Sequence, residues 1–148
     1  MPPKVFVDTN VLISGLLYRG NEAKVLELAL DGKIKLVISK QVVEETKRAL
    51  VEKFGLKASL SETVVESWSK IAQIAEPTSD EVERFKHLIS AKDAPILAAA
   101  VKSGAESILT GDKAFHWEEV KRLIDVLTAK QFLERLRGQI SSPGVPSA

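Results

Sequence analysis

The chain has 148 residues, about the length of one ordinary domain, and a chain of this size buries roughly 70% of its unfolded surface. Hydrophobic residues make up 45% and charged residues 28%, a globular composition that excludes disorder, collagen and coiled coil over the whole chain. Lys and Arg number 21 against 20 Asp and Glu, a formal charge of +1, so the total marks neither a strongly basic nor an acidic-tail protein and any charge logic must be local.

Cysteine is absent and the only histidines are His87 and His116, which removes disulfides, thiol nucleophiles and every Cys/His metal site. Carboxylates remain as metal ligands. The longest uninterrupted apolar run, Ile96 to Val101, is far short of the roughly 20 residues of a membrane helix, and MPPKVFVDTN has no secretory apolar region, so a cytoplasmic location is expected.

In chain order, Lys4 to Asp8 reads as a short strand ending on an acid, followed by TNVLISGLL with Asn10 as its expected helix cap. Gly20 and Asn21 break the chain before AKVLELALDG, where Val25, Leu26, Leu28, Ala29 and Leu30 fall at helical spacing and Gly32 is the stop. Ile34 to Ile38 is the next strand. Ser39 caps a helix through QVVEETKRALVEKF with Val42, Val43, Thr46, Ala49, Leu50 and Phe54 on one face, and Gly55 ends it. A third long helix is expected from about Ser61 to Ala75, its stripe running through Val64, Val65, Trp68, Ile71, Ala72 and Ala75, with Pro77 as the stop.

The polar stretch PTSDEVERFKHLISAK carries no assignment. DAPILAAAVKSG is a helix with Asp93 as candidate cap, Pro95 in its first turn and Gly104 at its end. Ser107 to Thr110 is a strand running into the turn GDKAF, Trp117 to Leu123 a short helix, Ile124 to Thr128 a last strand and Ala129 to Arg137 a closing helix. Strands alternating with helices imply a three-layer α/β/α sandwich on a central parallel sheet, because parallel strands need crossover helices. One domain over residues 1–140 and a flexible tail over 141–148, SSPGVPSA, complete the expectation.

Ligand sites of open α/β sheets lie beyond the carboxyl ends of the strands, where strand order reverses. Asp8 closes the first strand and Asp112 follows the strand ending at Thr110; if these strands are neighbours, the two carboxylates face each other. Each also has a bland reading, Asp8 as an Asx turn or helix cap and Asp112 as half of a Gly-Asp turn. Glu45 lies three residues after Val42 and four before Ala49, beside the apolar stripe, while Glu44 points away. Asp93 opens the most apolar helix, as a cap or as a cation ligand. Several carboxylates in one cleft repel one another unless a divalent cation neutralises them, and hard oxygen donors point to Mg2+ or Mn2+.

VFVDTNVLIS, ISKQVVEETKRAL and KDAPILAAAVKSGAESILTGDKAF, in this order, resemble the PIN domain, a nuclease fold found in toxins of VapC-type toxin-antitoxin modules and in RNA-processing enzymes. The resemblance runs from about Val5 to Leu136. It implies an acidic quartet of Asp8, Glu45, Asp93 and Asp112 as catalytic metal ligands, with Thr9, Asn10 and Thr110 orienting them. Many relatives carry a further acid near the helix start at Asp93, where this chain has Ala91, Lys92 and Ala94. The implied chemistry is metal-assisted hydrolysis of an RNA phosphodiester, one ion supplying a water of lowered pKa. The implied partners are RNA, an antitoxin protein where the chain acts as a toxin, and a second copy of the chain, for which the helices around Trp68 or Leu133 offer a surface.

An anionic strand entering an acidic cleft needs cations at the rim, and Lys40, Lys47, Arg48, Lys92 and Lys113 are the candidates, with Lys40, Lys92 and Lys113 nearest the acids in sequence. Each is equally well an ordinary surface residue. Aromatic residues at 5% disfavour an extended stacking platform. Two competing classes remain: a non-catalytic PIN-like module that binds RNA or protein, and an Asp-phosphorylated receiver or phosphatase, for which D-T-N and the lack of a Gly-rich phosphate loop are a poor match.

Overall fold

The computed structural model describes residues 1–112 and 118–140. Lys113, His116, Trp117 and the tail over 141–148 lie outside the described residues.

Five strands, β1 (Lys4–Val7), β2 (Lys35–Ser39), β3 (Gln73–Ala75), β4 (Ser107–Leu109) and β5 (Asp125–Leu127), form one parallel sheet in the order β3-β2-β1-β4-β5. The chain winds outward from β1 to β2 and β3, then returns to lay β4 on the other side of β1. Strand order therefore reverses between β1 and β4, where Val5 pairs with Ser107 and Val7 with Leu109. The connections run both ways along the sheet, so right-handed crossovers place helices on both faces, the α/β/α sandwich expected. β1 is central, and Val5, Phe6 and Val7 are fully buried, as a strand covered on both faces requires.

Among the described residues eight helices connect and cover the strands: α1 (Thr9–Leu17), α2 (Asn21–Leu30), α3 (Lys40–Glu52), α4 (Ala58–Ile71), α5 (Ser79–Glu83), α6 (Ala94–Lys102), α7 (Glu118–Lys121) and α8 (Ala129–Ile140). α1 packs on α2 and α3, α3 on α4, and α2 on α8, while α5 packs on α6. Gly15 lets α1 lie close on α2, since a Cβ there would stand 2.6 Å from Leu26 Cδ1. The stops at Gly32 and Gly104 adopt φ of 72° and 75°, conformations that favour glycine. Among the described residues no helix is long and apolar enough to cross a membrane.

Several expectations need correction. The helix expected over Ser61 to Ala75 is α4 followed by a strand: Ala72 turns extended (φ −88°, ψ 156°), and Gln73, Ile74 and Ala75 pair with Val37, Ile38 and Ser39. Ladder bonds to β2 outweigh the helical stripe, and Ile71 is left 38% exposed. α3 stops at Glu52, so Phe54 leaves the apolar face and is 40% exposed. The unassigned polar stretch holds α5, started by a capping box in which Thr78 and Glu81 satisfy each other's backbone N–H groups. α1 is capped by Asp8 rather than Asn10, which is exposed in its first turn.

Candidate active site

Asp8 follows the last residue of β1 and is the N-cap of α1. Its Oδ1 accepts the Val11 N–H at 2.9 Å, and its Oδ2 accepts the Thr110 hydroxyl from across the sheet reversal. A hydroxyl has one proton to give. Thr110 spends it on Asp8 and accepts the Asp112 N–H at 3.0 Å on the same oxygen, so one buried side chain locks the turn after β4 to the carboxylate after β1. Thr110 is fully buried and Asp8 is 6% exposed, whereas Asp112 stands at the surface. The cap reading and the site reading of Asp8 are thus compatible: one carboxylate oxygen serves the helix and the other faces Thr110.

Burial pushes the Asp8 carboxyl above its ordinary value; the bonds from Thr110 and Val11 work against this, and the charges of Asp112 and Asp93 add to the rise. These two acids are therefore near enough to repel Asp8 electrostatically. Asp93 sits at the N-cap position of α6 without making a capping bond. Its Oδ2 instead accepts the Ser90 hydroxyl at 3.0 Å, and the Ala94 N–H goes to the Ser90 carbonyl at 2.9 Å.

Glu45 is half-buried and Glu44 exposed, as the helical phase requires. Glu45 is held from two sides, by the Thr9 hydroxyl at 2.9 Å and by the Gln41 amide at 2.7 Å. Thr9 directly follows Asp8, so α1 joins the α3 acid to the centre of the site. Two positioning residues were missed in the sequence, Gln41 and Ser90. The signals were present, since Gln41 is four residues before Glu45 on one helix and Ser90 three before Asp93.

The cations divide. Lys47 is no rim residue: it faces α4, bonded to Glu66 at 2.6 Å and Glu62 at 3.1 Å. Lys40 pairs loosely with Glu76 at 3.7 Å, and Lys92 and Arg48 are exposed.

The donors around Asp8 are carboxylate and hydroxyl oxygens, the chemistry a hard divalent cation takes. The raised carboxyl of Asp8 beside two further acids is the electrostatic strain that such a cation relieves. Among the described residues no three acidic or histidine side chains form a group that holds an ion as they stand.

A parallel α/β/α sandwich with acids gathered where strand order reverses defines a class of proteins whose site sits at the carboxyl edge of the sheet. The PIN domain family pattern matches residues 4–114, and the chain belongs to that family. No curated protein sequence matches the chain. Solved structures share the fold. A protein from Pyrobaculum aerophilum superposes with a TM-score of 0.62 at 20% identity, covering 94% of this chain and 98% of its own. VapBC2 from Rickettsia felis, solved bound to a DNA fragment from its promoter, gives 0.61 at 16%, covering 84% and 98%. VapC20 from Mycobacterium tuberculosis, a toxin that cleaves the sarcin-ricin loop, gives 0.54 at 21%, covering 73% and 91%.

Proposed function

We propose that this chain is a divalent-metal-dependent endoribonuclease that hydrolyses phosphodiester bonds of single-stranded or structured RNA, and that it is the toxin of a toxin-antitoxin pair. The observation that carries the reading is Asp8 at the sheet reversal, held by Thr110, its carboxyl raised by burial and further by the charges of Asp112 and Asp93. Membership of the PIN family supports nuclease chemistry. The fold shared with VapC20, the toxin that cleaves the sarcin-ricin loop, and with VapBC2 supports the toxin role and an antitoxin partner.

In this reading Asp8, Glu45, Asp93 and Asp112 hold Mg2+ or Mn2+. When bound, the ion supplies a water of lowered pKa and neutralises charge at the phosphate. Thr110 fixes the orientation of Asp8 and of the backbone at Asp112, and Thr9 with Gln41 fixes Glu45. Asn10, exposed in the first turn of α1, helps Thr9 and Thr110 orient the acids. Lys40, Lys92 and Lys113 draw in the RNA backbone. A homodimer through the half-buried Trp68 or Leu133 surface and a cytoplasmic location complete the proposal.

Cleavage of labelled single-stranded RNA with Mg2+, with Mn2+ and with EDTA, comparing the wild type with Asp8→Asn, tests it. Metal-dependent cleavage lost in the variant is expected. Equal cleavage by both proteins would overturn the assignment of Asp8. One observation favours a second reading, a non-catalytic PIN-like module binding RNA or protein: no ready three-acid group stands among the described residues. A folded wild type that cleaves no RNA under any of these conditions would favour it.

A further inference from the structure

The carboxyl edge of the sheet carries a second concavity, a groove of about 340 Å³ above the ends of β2 and β3. That volume lies at the lower end of the range for small-ligand sites. Its walls are Pro77, Val82 and Pro95, apolar surfaces suited to the flat face of a ring, together with Gln41 and Glu44 of α3. Two of its residues link the groove to the acidic site. The Gln41 amide that borders it also donates to Glu45, and Pro95 is two residues beyond Asp93 on α6.

The polar groups at this groove are unlike those around Asp8. Consecutive acids on α3 part company: Glu45 turns to Thr9, and Glu44 lines the groove. Lys40 lies beside Glu44 at the rim, in an exposed 3.7 Å pair with Glu76. Such a pair holds its partners weakly, so the ammonium can exchange Glu76 for a phosphate.

We propose that this groove is the subsite for the nucleoside beside the scissile phosphate, and that Glu44 reads its base. The proposal rests on the ribonuclease reading above. A carboxylate only accepts hydrogen bonds, and single-stranded RNA is read on the exposed edges of its bases. Guanine offers a ring N–H and an exocyclic amino group side by side, two donors for one carboxylate. Cytosine and adenine offer one amino group each. The single N–H of uracil is flanked by two carbonyl oxygens that repel the carboxylate. Glu44 thus selects guanine first, then the other amino-bearing bases, and rejects uracil. Lys40 takes the adjoining phosphate, which carries no sequence information.

The test is a two-dimensional NMR titration of the full chain with GMP and with UMP, in EDTA, for the wild type and for Glu44→Ala. Glu44 is exposed and outside the acidic quartet, so the variant keeps its fold and its spectrum away from the groove. The amides of Gln41, Glu44 and Val82 are expected to shift with GMP at roughly tenfold lower concentration than with UMP. In Glu44→Ala that ratio should fall to within about twofold. Absence of shifts at these amides, equal responses to GMP and UMP, or unchanged discrimination in the variant would each overturn the subsite. RNA cleavage by the same preparations separates the two ideas. A chain that cleaves RNA while its groove ignores both nucleotides overturns the subsite alone, and a discriminating groove in a chain that cleaves nothing supports base reading by Glu44 while overturning the ribonuclease reading and with it the placement beside a scissile phosphate.

Discussion

Asp8 and Thr46 are both buried polar side chains, one at the centre of the sheet and one on the outlying helix α3, and their surroundings differ. Both oxygens of Asp8 have partners, from α1 and from Thr110, yet the buried charge remains under strain. The Thr46 hydroxyl is fully buried on the α3 stripe with no hydrogen-bond partner among the described residues. Partners at the sheet reversal hold an anion in one orientation while leaving it costly to ionise, which suits a cation site. Nothing comparable surrounds Thr46, whose methyl packs while its hydroxyl only loses its water. One buried polar group is held in place at the candidate site and the other is merely carried by the core.

Asp8→Asn breaks this contrast most severely. RNA cleavage should fall by more than about a hundredfold, exceeding what losing a supporting residue costs, measured as kcat/KM with Mg2+. The same variant should be more stable than the wild type at pH 7. A carboxyl raised above its ordinary 3.8 favours folding while protonated, and that contribution is lost as pH rises through the raised value. The stability gap between variant and wild type should therefore be widest near neutrality and close as pH falls toward 3.8, which thermal melts across a pH series will show. Equal melting temperatures throughout the series would contradict the strain assigned to Asp8.

Thr110→Val removes the hydroxyl that serves both Asp8 and the Asp112 N–H. A loss of about 10–100-fold in metal affinity or cleavage is expected, the usual cost of a residue that orients a ligand. Metal titration followed by melting temperature sharpens the point. Mg2+ or Mn2+ should raise the melting temperature of the wild type, since an ion that binds only the folded chain stabilises it by mass action. The rise should be reduced in Thr110→Val and nearly absent in Asp8→Asn. The smallest effect belongs to the other side of the comparison. Thr46→Val keeps the shape and removes the unpartnered hydroxyl, so it should stabilise the chain by about 1 kcal/mol in denaturant unfolding and leave cleavage unchanged.

Much of the architecture was legible because central strands buried on both faces read as apolar runs and because glycine stops and Ser39 mark helix ends. The strand Gln73–Ala75 was not, since three residues carry too little pattern to oppose the helical stripe before them. α5 was legible in Thr78-x-x-Glu81 but masked by the polarity around it. Within the site, Asp8 and Asp112 were read as acids at strand ends, Thr110 entered only through the resemblance to the PIN domain, and Glu45 was separated from Glu44 by helical phase. Lys47 was misplaced at the rim because sequence distance to Glu45 says nothing about Glu62 and Glu66, which arrive on a different helix.

The amino-acid sequence by itself determined the alternation of strands and helices, the oxygen-only donor chemistry and the acids at the strand ends, all of which are local properties of composition and period. Only the tertiary structure decided that β4 returns beside β1, which brings Thr110, more than a hundred positions away in the chain, onto the carboxylate of Asp8. That contact depends on strand order and register, which are set by how the whole sheet buries its two faces. The groove bordered by Gln41, Glu44 and Pro95 has the same origin, because its walls come from three helices whose meeting no local pattern records.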